Sequence, residues 1–321
     1  MTVLPSPASA PTMYFIGVTT GSSSIMKVFP AWADALGIDA GITGIDLPLD
    51  DEAAHYRAVV EFIKNDPLSM GALVTTHKLN LYKAARDLFD EIGEDTKILD
   101  EVSSISKRDG ALWGHAMDPV TCGLSLEALV PADHWSATGG ELLLLGAGGS
   151  SLALTLYLHR RALLAGQVPS RVVVTNRRAH RLDEMKQVHE RLRLALPIEY
   201  HLAPTPDRND EQLAQMKPSS VIANATGLGK DRPGSPLTDA ALFPDAAVAW
   251  DFNYRGQLEF LRQANAQAAP RSLRVHDGWT YFIHGWTRVI AQVFSLDIPT
   301  HGPEFDRLSQ IARDVTTGGR S

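Results

Sequence analysis

The chain has 321 residues, 44% of them hydrophobic and 21% charged, a balance ordinary for a water-soluble protein and a length that favours two cores over one. Its formal net charge of -7 argues against a nucleic-acid or anionic-membrane surface as the main partner. The one cysteine, Cys122, excludes an internal disulfide and a thiolate metal cluster, so no metal is expected and a reducing cytoplasm fits.

Read in chain order, Met1 to Thr12, with three prolines, is expected to be a disordered leader without the charged start of a secretory signal. Tyr14 to Val18 reads as a first strand and Ile42 to Leu47 as a second, followed by the turn residues Pro48 to Asp51. Glu52 to Asn65 has the spacing of an amphipathic helix, and Met70 to Thr76 that of a buried strand. Between the first two strands lies a serine run, Ser22 to Ser24, before a helix that contains Pro30. The helix therefore either kinks or starts near Phe29 with Pro30 at its first position. Asp118 opens a segment leading to Leu126 and Leu129, and Pro131 with Thr138, Gly139 and Gly140 punctuates the chain, so a domain boundary is expected between Cys122 and Gly140.

Next come Glu141, the four leucines Leu142 to Leu145, and Gly146-Ala147-Gly148-Gly149-Ser150. A continuous apolar run is the pattern of a parallel strand buried on both faces. The glycines after it allow a tight turn and close backbone approach to a pyrophosphate, and Ser150 to Ala165 has helical composition, so free helix N-terminal amides would face that phosphate. Some thirty residues on, Val172 to Thr175 runs into Asn176-Arg177-Arg178. At this place an Asp or Glu would bond the ribose 2′-hydroxyl of NAD and repel a 2′-phosphate, whereas arginine pairs with phosphate. The pattern points to NADP(H), although a glycine turn or a basic strand end taken singly is common in proteins without that role.

Beyond Arg178 follow a helix to about Leu194, a strand from Glu199 to Leu202, a helix over Asp210 to Met216, and the strand Ser220 to Asn224 with Ala225-Thr226-Gly227 after it. Ala246 to Asp251 reads as a strand and Leu258 to Gln267 as a helix, and Asp277-Gly278 opens a last helical region. The alternation gives an α/β class with parallel sheets. The expected division is an N-terminal α/β substrate-binding domain over residues 1–124, a Rossmann-type doubly wound NADP-binding domain over 125–277, and helices of about 278–321 packing back on the first. The last residues, Thr316 to Ser321, are expected to be frayed.

Over nearly its whole length the chain resembles the shikimate dehydrogenase family. The resemblance implies that Ser22 and Ser24, spaced by one residue after the first strand, bind a substrate carboxylate. It also implies that Lys78, closing Val74 to His77, is the catalytic acid/base and that Asp118, closing Gly114 to Met117, is its partner. Family counterparts also fall at the glycine turn Gly146 to Gly149, at Asn176 to Arg178 and at Asn224 to Thr226, all implying cofactor contacts, with Gly278 joining them. Tyr254 in Asp251-Phe252-Asn253-Tyr254, Ser103 and His284 are implied substrate contacts. Read without the family, Lys78 and Asp118 are ordinary charges far apart in sequence, and a serine run before a helix is ordinarily an N-cap.

Departures from the family pattern concentrate in the part that reads the substrate ring. Ser103 and Ala116 stand where the family carries asparagine, Tyr281-Phe282 where it carries Met-Leu, and Gly285, next to His284, where it carries glutamine. A buried hydroxyl left unpaired costs about 1–3 kcal/mol, so such losses discriminate against the old substrate unless His77, His115, His284, Trp279 or Tyr281 supply replacements. The expectation is an NADP(H)-dependent dehydrogenase acting on a cyclic hydroxy or keto carboxylic acid related to shikimate, as monomer or homodimer, with no nucleic-acid or membrane partner. The alternatives are a true shikimate or quinate dehydrogenase with a rearranged pocket, and a silent NADP-binding regulatory module.

Overall fold

The computed structural model describes residues 4–230 and 232–317. These fall into two compact units, one comprising the chain up to Met117 and again from Ile283, the other Asp118–Phe282.

In the first unit the order is β1 (Thr12–Gly17), α1 (Ile25–Leu36), β2 (Gly41–Asp46), α2 (Ala53–Asn65), β3 (Ser69–Val74), α3 (Lys78–Ala85), β4 (Glu91–Ile92), α4 (Glu94–Leu99), β5 (Ser104–Arg108) and β6 (Ala111–His115). The sheet order is β2-β1-β3-β5-β6-β4. It is not purely parallel as expected: β5 runs against both β3 and β6. The reversal is a two-residue hairpin in which Asp109 and Gly110 both take positive φ, 50° and 79°, the geometry that Asp-Gly favours. One consequence matters for function. The C-terminal ends of β1, β2, β3, β4 and β6 and the start of β5 share one sheet edge.

Three expectations for this unit are corrected. The leader is tied down from its first described residues, because Leu4 packs on the core and the Ala8 amide donates to Asp66 Oδ2 at 3.1 Å; Met1 to Val3 lie outside the described residues. Of the two alternatives for the first helix, a kink or a start near Phe29, the late start is not met: the helix runs from Ile25 through Pro30, whose exposed ring leaves Val28, Phe29, Trp32 and Ala33 free to bury. The expected breakpoint gives way to a crossing at Met117/Asp118, because the helix that follows buries Cys122, Leu126 and Leu129 in the core of the second unit.

That unit contains α5 (Asp118–Leu129), α6 (His134–Thr138), β7 (Leu142–Leu145), α7 (Gly149–Leu163), β8 (Val172–Asn176), α8 (Ala179–Leu192), β9 (Ile198–Leu202), α9 (Pro206–Leu213), β10 (Val221–Asn224), β11 (Val248–Asp251), α10 (Glu259–Asn265), α11 (Ala268–Arg271), β12 (Arg274–His276) and the start of α12 (Trp279–Phe294). From Ile283, α12 belongs to the first unit, as does α13 (Pro303–Thr317), onto which Trp32 of α1 docks by donating from Nε1 to the Leu308 carbonyl at 2.8 Å. Thr316 and Thr317 complete α13, so the expected fraying could apply only from Gly318, outside the described residues.

All six strands of the second sheet are parallel, in the order β12-β11-β10-β7-β8-β9. This is the doubly wound Rossmann order, with the chain leaving β7 in both directions. The four leucines of β7 are fully buried because their pleat alternates between two cores. Leu142 and Leu144 join Val172, Val174, Leu154 and Leu126 on one face, and Leu143 and Leu145 join Val173, Ile222, Phe243 and Phe260 on the other. Among the described residues no helix is long and apolar enough to cross a membrane, and no cluster of His, Cys, Asp or Glu is placed to hold a metal ion.

One charged group sits at the foot of β7. Glu141, 3% exposed, accepts from Arg171 Nε and Nη2 at 3.1 and 3.0 Å and pairs with Lys217 Nζ at 3.2 Å. Burial alone would raise its pKa, but the bonds from Arg171 and Lys217 prevail and hold it below the ordinary carboxylate value. Glu141→Gln is expected to destabilise the protein by about 2 kcal/mol in urea unfolding near pH 7. The loss shrinks as pH falls through the carboxylate range, where the wild type forfeits the same interaction.

Candidate active site

The turn after β7 is built around Gly146. Its φ of +109° is one that side-chain-bearing residues avoid, and a Cβ there would lie 3.0 Å from the Ala225 carbonyl oxygen. Ser151 closes the turn from below, its buried hydroxyl donating to the Gly146 carbonyl at 2.6 Å. Sequence reading passed over this residue, although it stands at the third small position of the glycine pattern. Ala147 is buried, whereas at Gly148 and Gly149 an added Cβ would meet nothing within 4 Å, and no side chain caps α7. The amides of Gly149 and Ser150 therefore begin a 15-residue helix over open space, an arrangement that suits an anion.

The second expected element stands beside it, since the Gly146 amide donates to the Thr175 carbonyl at 2.9 Å across the β7–β8 pair. Asn176 then folds its side-chain amide onto the Arg178 carbonyl at 3.2 Å, shaping the strand exit. Arg177 and Arg178 are exposed and form no ion pair among the described residues. Two unneutralised guanidinium groups and no carboxylate at this corner fit a dinucleotide carrying a 2′-phosphate.

On the other side of β7, Asn224 and Thr226 use their polar groups internally. Asn224, fully buried, donates to Asp251 Oδ2 at 3.0 Å and accepts from the Thr226 amide and hydroxyl at 3.1 and 2.7 Å. Gly278 is a packing glycine: a Cβ there would meet the Phe252 carbonyl oxygen at 2.1 Å, and its amide donates to the Asn253 carbonyl at 2.9 Å. Tyr254 packs its ring on Phe282 and Trp279, with centroids 4.5 and 5.9 Å apart. Tyr281 stands edge-on to Phe252, with ring centroids 4.9 Å apart.

In the first unit Ser22, Ser24, Lys78 and Ser103 stand at the shared sheet edge, whereas Tyr254 belongs to the second unit and His284 to α12. Ser24 starts α1 without capping it by its side chain, and its hydroxyl has no partner among the described residues, whereas Ser22 donates its hydroxyl inward to the Thr19 carbonyl at 2.9 Å. Lys78 is the first residue of α3, half-buried, its carbonyl taking the Val102 amide at 3.3 Å. Ser103 bridges three segments: its carbonyl takes the Val74 amide at 2.9 Å, its amide donates to the His115 carbonyl at 2.9 Å, and its Oγ accepts from the Met117 amide at 2.7 Å. The backbone of Lys78 and the residue preceding Asp118 are thus both fastened to the Val102-Ser103 strand start. A cavity of about 630 Å³ opens beside this edge, lined by Thr20, Asp46, Leu47, Asp51 and His55 among others.

The three histidines weighed as substitutes for lost amides make contacts within the first unit, and two of them, His77 and His284, keep one buried ring nitrogen without a hydrogen-bond partner among the described residues. His77, 2% exposed, meets the Tyr56 hydroxyl through Nδ1 at 3.1 Å. His115 is held by Gln292 Nε2 at 3.0 Å and stacks on Trp113. Gln292 escaped notice in the sequence; seven residues after Gly285, it falls two turns along the same helix face. His284, 1% exposed, stacks on Phe305 at 4.5 Å, and its Nδ1 is buried without a partner.

Burial, with Arg288 nearby, pushes His284 down to about 4. The folded protein keeps it neutral while the unfolded chain protonates it below about pH 6.5, so stability falls as pH drops from there toward 4. His284→Phe should preserve the stacking, leave or raise the Tm at pH 7, and flatten that acid loss. A large drop in kcat/KM with unchanged Tm would instead make His284 a substrate contact.

The two units, one built on a Rossmann-type sheet with a glycine turn, define a two-domain α/β protein of the dehydrogenase kind. No family model matches the chain. It is 27% identical over 307 residues to the shikimate dehydrogenase (NADP(+)) of Methylocella silvestris, covering 94% of this chain and 96% of that protein. It is 30% identical over 219 residues to the enzyme of the same name from Xanthomonas euvesicatoria, covering 68% of each. The chain belongs to the shikimate dehydrogenase family. The fold is also that of solved shikimate dehydrogenase from Aquifex aeolicus, with TM-score 0.70 and 18% identity over 97% of this chain and 98% of that one. The 5-ketofructose reductase of a Gluconobacter species has TM-score 0.70 and 19% identity over 95% and 99%.

Proposed function

We propose that the protein is a cytoplasmic NADP(H)-dependent oxidoreductase that interconverts hydroxyl and ketone on a shikimate-like cyclic carboxylic acid. The observation that carries the reading is the corner at the ends of β7 and β8, where an open glycine turn, an uncapped helix N-terminus and two unpaired arginines lie together. Relatives that align with the chain over most of its length carry NADP in their names.

In this reading the amides of Gly148, Gly149 and Ser150 receive the pyrophosphate, and Asn176, Arg177 and Arg178 the 2′-phosphate of the adenosine half. The bound nicotinamide would supply or accept the hydride. The chain's own task at the reacting carbon is the proton: Lys78 gives it to the developing alkoxide in reduction and, once neutral, takes it from the hydroxyl in oxidation. Asp118 acts as the partner that orients the amine and favours its charged form against burial. The Ser24 hydroxyl is free to donate to a substrate carboxylate; Ser22 must turn its hydroxyl away from Thr19 to join it.

The substrate is shikimate-like rather than shikimate itself. Ser103 has its hydroxyl committed to Met117 and His115, and Ala116, 3% exposed, has no polar group to offer. Ring hydroxyls that amides would have met find no partner at either place, a loss of about 1–3 kcal/mol for each.

Arg177→Ala or Arg178→Ala is expected to weaken NADPH binding about 10- to 100-fold while leaving NADH nearly unchanged, as read by fluorescence titration. Equal wild-type affinity for the two nucleotides would remove the 2′-phosphate assignment. Lys78→Ala should lower kcat by roughly 10²–10⁴-fold with NADPH binding intact. In a spectrophotometric screen of cyclic hydroxy acids and their keto forms, the best substrate should exceed shikimate; shikimate as the best substrate would defeat the claim of an altered pocket.

A further inference from the structure

Asp251 ends β11 fully buried, and its hydrogen-bond donors among the described residues are the Asn224 side-chain amide and the Asn253 backbone amide. Its two oxygens begin and end a ring. Oδ2 accepts from Asn224 Nδ2 at 3.0 Å, and Asn224 Oδ1 accepts from the Thr226 amide and hydroxyl. Thr226 Oγ1 accepts from the Leu228 amide at 3.1 Å, the Leu228 carbonyl accepts from Asn253 Nδ2 at 3.1 Å, and the Asn253 amide returns to Asp251 Oδ1 at 2.8 Å. A carboxylate is required at the hub because it alone offers two acceptors and no donor; an amide would turn an N–H against one of them.

The ring locks the segment Ala225–Leu228 against β7. The Ala225 amide donates to the Leu145 carbonyl at 2.9 Å, and its own carbonyl is the group that a Cβ at Gly146 would strike. The arginines stand on the β8 side of β7 and this segment on the β10 side. A dinucleotide whose adenosine half lies toward β8 and whose pyrophosphate lies at the turn extends its other half across β10.

We propose that Asp251 is a positioning residue: through the ring with Asn224, Thr226, Leu228 and Asn253 it holds the wall that receives the nicotinamide half of the cofactor. The side chains of Asn224 and Thr226 then serve the cofactor by fixing backbone rather than by touching it. This rests on the assignment of NADP(H) to the Gly146 turn.

The test uses two probes on the full chain, NADPH and adenosine 2′,5′-bisphosphate, the latter lacking the nicotinamide half. Asp251→Asn breaks the hub, and Asn253→Ala breaks one link, guarding against a variant that does not fold. For either soluble variant the expected result is a Kd for NADPH raised about tenfold, a Kd for the bisphosphate within threefold of wild type, and faster hydrogen exchange at the amides of Thr226 and Leu228. A purely structural role would lower the Tm and move both ligands together or neither, and that result overturns the proposal. Failure of the wild type to bind either probe overturns the cofactor assignment, and the positioning role falls with it.

Discussion

The close approach of two strand exits constrains the second unit more than any single side chain does. The backbone leaving β7 passes the backbone leaving β10 so closely that a Cβ at Gly146 would lie 3.0 Å from the Ala225 carbonyl oxygen, at a φ of +109° that side-chain-bearing residues avoid. Both strands are parallel neighbours in a sheet buried on both faces, so neither can move aside without disturbing two cores. With that contact fixed, α7 must start over open space, β8 must deliver Asn176 to Arg178 next to it, and the Ala225–Leu228 segment must be held in place on the far side. The hydrogen-bond ring on Asp251 and the hydroxyl of Ser151 follow from this need. Each satisfies backbone or amide groups that the divergence of the strands leaves without ladder partners.

The parts legible in the sequence were those in which side-chain type alone dictates the outcome. Four consecutive leucines cannot stand with one face in water, and the glycines after them admit few geometries, so β7, its turn and α7 could be read within a residue or two of Leu142–Leu145 and Gly149–Leu163. The β5–β6 hairpin was missed although Asp109-Gly110 announced it, because alternation of strands and helices suggested parallel crossovers throughout. Pro30 left a kink or a late start open, and the late start did not hold for another reason. A helix whose other face buries Val28, Phe29, Trp32 and Ala33 tolerates one lost backbone bond on its exposed side.

Site residues were harder, since residue type says what a group can bond and not where its partner lies. Ser103, Asn224 and Thr226 are polar residues in family positions, and the structure gives their hydrogen-bonding capacity to neighbouring backbone. His284 looked like a spare polar group beside a missing glutamine and is a stacking partner of Phe305. Gln292 had a signal, the seven-residue helical spacing from Gly285, but its hydrogen bond to His115 depends on β6 and α12 packing in the first unit, which no local pattern encodes.

Around the cofactor turn, the polar groups that remain uncommitted are backbone amides and guanidinium groups, suited to phosphate and indifferent to the rest of the substrate. On the edge of the first unit the hydroxyl of Ser103 and the ring of His115 are already bonded within the protein, so they cannot be lent to a ring hydroxyl without leaving a buried group unpaired, whereas His77 Nε2 is buried without a partner among the described residues. Under the proposed function, a substrate would bring fewer hydroxyls to the first two positions or reach toward Thr20, Asp46 and His55, which line the open cavity on the same edge.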